Sequence, residues 1–183
     1  MANEAVFDPV EGEPDHKGRR RFLTATTVAV GAVGAALEDR DSWCGVIVDG
    51  VHVHPGSLRV ALAAKPRGKV FLVTDAMPMV GSDDPSFALY GEVITAVDGV
   101  VRNAAGSLAG SALDMATAVR NCVSLLGLPL DEAVRMASTY PARFLRVDGR
   151  TGRIAPGLQA DLVLLDDAVQ VRGSWIAGEA DAA

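Results

Sequence analysis

The feature that most constrains this chain is the apolar run Val70-Phe71-Leu72-Val73, which stops at Thr74-Asp75. A run without alternation suits a strand buried on both faces, as in the parallel sheets of α/β proteins. Val46-Ile47-Val48 is a second such run and ends at the turn pair Asp49-Gly50. Between the two, Ser57 to Ala64 suits a helix that Pro66 and Gly68 end. Buried-type strands alternating with helical stretches read as an α/β fold.

The rest of the chain continues this pattern. Phe87 to Val101 holds β-type segments, with Asp98-Gly99 as a hairpin turn. Ser111-Ala112-Leu113-Asp114 reads as a capping box before a helix with Met115, Val119, Cys122, Val123 and Leu126 on one stripe. Gly127 ends that helix. Asp131 is expected to cap the next one, through Met136, and Pro141 to open a short turn to Leu145. Ala160 to Asp166 reads as another buried-type strand and Val169 to Ile176 as the last.

With 183 residues, 49% hydrophobic and 22% charged, the composition is that of one globular domain, with or without a leader. A net charge of -6 argues against an electrostatic nucleic-acid binder. Two cysteines, Cys44 and Cys122, and no CxxC argue against a disulfide scaffold or a CxxC-type zinc site. Residues 1–18 read as a solvated tail. Arg19-Arg20-Arg21-Phe22-Leu23 then fits the twin-arginine pattern, ahead of an uncharged stretch to Leu37 that is short for a membrane span of roughly 20 residues. The competing reading is a basic helix start before a buried element. The expected organisation is a tail plus apolar leader over 1–36, a domain over 37–176 and a tail over 177–183.

Two places can carry chemistry. In Asp49-Gly50-Val51-His52-Val53-His54-Pro55, the histidines would share a face if the segment were a strand, as a shared metal needs. Further ligands would still be required, and a ligand-contacting His52 beside an incidental His54 is the other reading. Asp75 follows directly on a buried strand, at the end where parallel α/β architectures bind substrate; a loop or capping aspartate is the plain alternative. Ser107-Leu108-Ala109-Gly110-Ser111 is a small-residue loop expected to open a helix, where backbone donors can receive an anion or a sugar hydroxyl, or simply start the helix.

From about Val33 to Ile176 the chain resembles the carboxyl-terminal part of N-acetylglucosamine-6-phosphate deacetylases, of the amidohydrolase superfamily. The stretches that carry the resemblance are VGAALEDRDSWCGVIVDGVHVHP, FLVTDAMPMVG, SLAGSALDMATAVRN, ASTYPARFL and GRIAPGLQADLVLLD, in family order. The resemblance implies a partial (β/α)8 metal-dependent hydrolase barrel, its last two strands and following helices, with part of a small β-sandwich. It implies hydrolysis of the 2-acetamido group of N-acetylglucosamine 6-phosphate, releasing acetate. Asp75 would be the catalytic base toward metal-bound water and then the acid toward the departing amine. Asp49, Gly50, Val51 and His52 would contact substrate, and Leu108, Ala109 and Gly110 would form the loop closing on the sugar. The divalent metal, zinc or iron, is held in that family by residues of earlier strands, so no metal ligand is assigned to this chain. A polypeptide with two barrel strands is then expected to be catalytically incompetent alone and to aggregate or depend on a complementing chain. Family members imply a possible homodimer and the cytoplasm.

The front end resembles the twin-arginine signal-anchor of Rieske iron–sulfur subunits over roughly the first 36 residues, without the cluster-binding Cys/His motifs. That resemblance implies possible membrane association through residues 19–37, or export to the periplasm. The alternative function is an anchored or exported sugar-phosphate-binding module without catalysis, or a chimeric product.

Overall fold

The two apolar runs pair in parallel. In this computed structural model, which describes residues 32–89, 91–97, 99–103 and 105–180, β1 (Cys44–Val46) lies beside β2 (Val70–Leu72) with Gly45 opposite Phe71. The chain divides into two units, Met1–Asp39 and Arg40–Ala183. In the first, residues 32–38 are helical, and the Arg19-to-Leu23 pattern lies outside the described residues. Among the described residues no helix is long and apolar enough to cross a membrane. Everything below concerns the second unit.

Strand β1 begins and ends two residues before the predicted run. Val48 is still fully buried, but its carbonyl oxygen accepts from Asn121 Nδ2 at 2.8 Å, a side-chain bond that takes it out of the ladder. Helix α1 (Pro55–Ala64) crosses from β1 to β2. It starts at a proline, whose missing donor costs nothing in a first turn, and His54 caps it by accepting from the Gly56 N–H at 3.0 Å.

Alternation along β2 sends Val70 and Leu72, 5% and 2% exposed, into the main core. They meet α2 (Met115–Leu126), α3 (Leu130–Ala137) and α4 (Thr139–Phe144) through Val119, Cys122, Leu126, Met136 and Tyr140. Burial pushes the Cys122 thiol up to about 11, so it is a packing group and not a nucleophile. Phe71 points to the other face, where it stacks on Phe144 at 5.0 Å and meets the edge of Trp43 at 6.3 Å. Burial on both faces, expected from the apolar run, is therefore complete on the helix side and only partial on the aromatic side. Among the described residues the parallel sheet has two strands.

Several local expectations need correction. Asp114, not Ser111, caps α2: its Oδ1 accepts from the Thr117 N–H at 2.8 Å. Val123 lies exposed beside the buried stripe of Ala118, Val119, Cys122 and Leu126. Gly127 does end α2, in the left-handed conformation at φ 71°. Pro129, not Asp131, precedes α3, and Asp131 instead pairs with Arg135 one turn on. Helix α4 begins at Thr139, so Pro141 sits inside its first turn, where the N–H groups lack intrahelical partners anyway.

Two antiparallel sheets complete the unit. One orders β3 (Ser86–Leu89), β4 (Glu92–Val97), β5 (Val100–Arg102) and β6 (Leu108–Ser111) side by side over Met79, Ile94 and Val101. Residues 108–111, expected in a loop that opens a helix, are thus an edge strand. The other sheet orders β7 (Leu162–Leu165), β8 (Val171–Ile176) and β9 (Glu179–Ala180). In β7, Val163 and Leu164 are 59% and 54% exposed, so the buried character read from the sequence does not hold there. Residues 179–180, expected in a tail, pair with β8.

Candidate functional site

The segment after β1 is shaped by Asp49. Its Oδ1 accepts from the backbone N–H groups of Val51 and His52, each at 2.9 Å, which folds the chain into a side-chain-closed turn. Its Oδ2 lies 2.5 Å from His52 Nδ1. The two side chains are 11% and 14% exposed. Burial works against the Asp49 charge, but hydrogen bonds from the His52 ring and from the His52 and Val51 N–H groups outweigh it and hold the carboxyl below its ordinary value. An ionised carboxylate only accepts, so His52 Nδ1 is the donor. His52 Nε2 is buried and has no hydrogen-bond partner among the described residues.

His52 and His54 do not lie on a strand. The alternation that would put them on one face does not apply, and His54 is the exposed cap of α1.

The segment after β2 is shaped from further away. Asp75 is exposed and has a positive φ of 54°, a region aspartate enters more easily than most residues. Ser111, at the end of β6 and 1% exposed, holds this loop with three bonds. Its N–H donates to the Asp75 carbonyl at 2.8 Å and its own carbonyl accepts from the Met77 N–H at 2.9 Å. Its Oγ donates to the Thr74 carbonyl at 2.5 Å while accepting from the Leu113 N–H at 3.1 Å. Ala76 and Ser111 form a parallel bridge. Gly110 makes this approach possible: at φ 90°, an added Cβ would collide with the Met77 side chain and come within 3.2 Å of the Asp75 carbonyl oxygen.

Of the predicted site residues, the structure places Asp49 to His52 after β1 and Asp75 after β2, at the carboxyl ends of two strands in register. It joins Gly110 directly to the Asp75 loop, with Ala109 packed against the cluster of Met79, Ile94 and Val101 and Leu108 exposed at the sheet edge. Sequence reasoning missed Ser111 as the clamp. The available signal was the run of small residues from Ser107 to Ser111, which close approach of two backbones demands.

Chemically, the arrangement offers an accessible carboxylate, a buried imidazole nitrogen with its other nitrogen fixed, and the edge of β6. It does not by itself fit a metal. Among the described residues no three of His, Cys, Asp and Glu converge as donors. A cavity of about 430 Å³ lies elsewhere, at the amino end of β2 between Lys65, Arg67, Glu132 and Tyr140. Two of its charges satisfy each other, Glu132 accepting from Arg67 and, at 2.7 Å, from the Tyr140 hydroxyl, while Lys65 Nζ donates to Ser42 Oγ at 2.6 Å. Burial opposes the Glu132 charge, and these two donors nevertheless hold its carboxyl below its ordinary value.

Comparison with known proteins bears on the family and the fold. The amidohydrolase family matches residues 24–180. A relative from Escherichia coli strain K12 is 44% identical over 149 residues, 81% of this chain and 89% of the relative. The N-acetylgalactosamine-6-phosphate deacetylase of Shewanella sp. (strain ANA-3) is 46% identical over 149 residues, 81% of this chain but 38% of the relative. The crystal structure of N-acetylglucosamine-6-phosphate deacetylase from Pasteurella multocida superposes with a TM-score of 0.77 at 38% identity, over 82% of this chain and 39% of that one. The chain therefore spans about two fifths of the length of these two deacetylases. Family match, sequence likeness and shared fold all lead to one conclusion: the chain belongs to the amidohydrolase family.

Proposed function

We propose that this chain provides the sugar-binding and proton-transfer side of an N-acetylhexosamine-6-phosphate deacetylase. The observation that carries the reading is positional. Asp75 and the Asp49–His52 segment leave the carboxyl ends of two parallel strands in register, where α/β folds assemble their sites. On this reading β1 and β2 are the last two strands of a (β/α)8 barrel, and the antiparallel strands include part of its β-sandwich. Asp75 takes a proton from the water that attacks the 2-acetamido carbonyl and returns it to the departing amine, with acetate released. His52 contacts the sugar phosphate, and Leu108, Ala109 and Gly110 border it from β6.

No step is derived through a metal, because the described donors do not make a site for one. We therefore read the isolated polypeptide as binding its substrate without turning it over, with the metal donors coming from outside the described residues. Deacetylases of both sugar epimers stand among the relatives, so both are to be assayed. The test incubates the purified chain with N-acetylgalactosamine 6-phosphate or N-acetylglucosamine 6-phosphate, with and without zinc or ferrous iron, and measures acetate. The expected result is binding of one or both sugars and no acetate above the uncatalysed rate. Metal-dependent turnover by the chain alone would overturn the second half of the proposal. Failure to bind either sugar would overturn the first.

A further inference from the structure

We infer that Asp49 is a positioning residue that acts through His52, setting the ring so that Nδ1 keeps its proton and donates it in a hydrogen bond to the carboxylate, while Nε2 faces the ligand. The inference rests on the reading of His52 as a ligand contact given above, and it gives Asp49 a different role from that contact.

Both Asp49 oxygens are committed within their own loop. Oδ1 serves two backbone N–H groups at 2.9 Å, and Oδ2 serves the ring at 2.5 Å. With its side chain 11% exposed, Asp49 has little surface to offer a substrate. The ring, by contrast, has one nitrogen committed and one spare. Nε2 is buried and without a partner among the described residues. A buried polar atom left unpaired is costly, so native structures retain one chiefly where something arrives to pair with it. An imidazole without a fixed partner would divide its population between two tautomers and several orientations. The carboxylate removes that freedom. In the neutral ring Nε2 then presents a lone pair, which takes a hydroxyl or amide N–H of the sugar. In the protonated ring it presents an N–H in the same direction, which takes a phosphate oxygen.

The variant Asp49→Asn separates this role from the turn. Its amide oxygen can still accept from Val51 and His52 N–H, while its NH2 group cannot accept from Nδ1. Nitrogen-15 spectra of the histidine rings in the whole chain read the tautomer directly. Binding is measured with N-acetylgalactosamine 6-phosphate and N-acetylglucosamine 6-phosphate. The expected result is a wild-type ring with Nδ1 protonated and a variant ring whose proton has moved to Nε2, with binding weakened about tenfold. In a His52→Gln background, Asp49→Asn should cost nothing more, because the residue it acts through is gone. Identical tautomers in wild type and Asp49→Asn, or fully additive losses, would overturn the inference. Should Asp49→Asn fail to fold, the wild-type spectrum still decides: a ring bare at Nδ1 contradicts the assignment. Should wild type bind neither sugar, the reading of the site fails while the ligand-free tautomers still judge Asp49.

Discussion

The Asp49–His52 turn after β1 is closed by its own residues, the loop after β2 by a distant strand. Asp49 reaches two and three positions along the chain to close its turn and seat His52. Ser111 reaches back 37 positions to Thr74 and also bonds Asp75 and Met77. The bonds that close the first turn are local, with Asn121 holding only the Val48 carbonyl just ahead of it, whereas the second loop needs β6 in place. The two candidate groups of one site thus depend on different parts of the fold. Disturbing the antiparallel sheet should release Asp75 and leave His52 seated.

Gly110→Val should break the comparison most forcefully. It sets a branched side chain at a positive φ and drives it into Met77, at a combined cost of about 3 kcal/mol or more. Urea unfolding should show that loss, and amide exchange should quicken across residues 74–77 while the His52 ring signal holds. Equal disturbance at both loops would contradict the division drawn here. Ser111→Ala is the sharper instrument. It deletes one hydroxyl, leaves the buried Leu113 N–H without its acceptor, and should cost about 1–3 kcal/mol. Its exchange signature should match that of Gly110→Val at lower amplitude.

Asp114→Ala touches neither loop. Loss of the α2 cap should lower stability by about 1 kcal/mol and leave the His52 and Asp75 signals where they were. Acid titration should show the smallest effect. Because the folded Asp49 carboxyl lies below its ordinary value of 3.8, its contribution is fully present above that value. It is lost as pH falls through the lower folded value. Denaturation midpoints measured from pH 6 down to pH 3 should therefore fall less steeply in Asp49→Asn than in wild type, and parallel slopes would count against the dyad.

The same contrast explains what the sequence disclosed. The parallel pair was legible because unbroken apolar runs have few other uses, and the place of Asp75 at a strand's carboxyl end was legible because it follows one. The turn at Asp49-Gly50 was legible because its bonds are local. The clamp was not: nothing in Ser107 to Ser111 names the backbone it lies against, and a serine four residues before a hydrophobic stripe looks like a cap. Asp114 took that role because its carboxylate reaches Thr117, while Ser111 was already committed to Thr74. Strand β7 misled for a related reason. An apolar run records what a strand can bury, and in β7 Val163 and Leu164 stay exposed.

The most direct test of the account is a backbone chemical-shift map of the nitrogen-15-labelled chain, titrated with N-acetylgalactosamine 6-phosphate and N-acetylglucosamine 6-phosphate. The account predicts that residues 49–52, 74–77 and 108–111 shift together, with one saturation curve. Shifts confined to the cavity between Arg67, Glu132 and Tyr140, or no shift with either sugar, would contradict it.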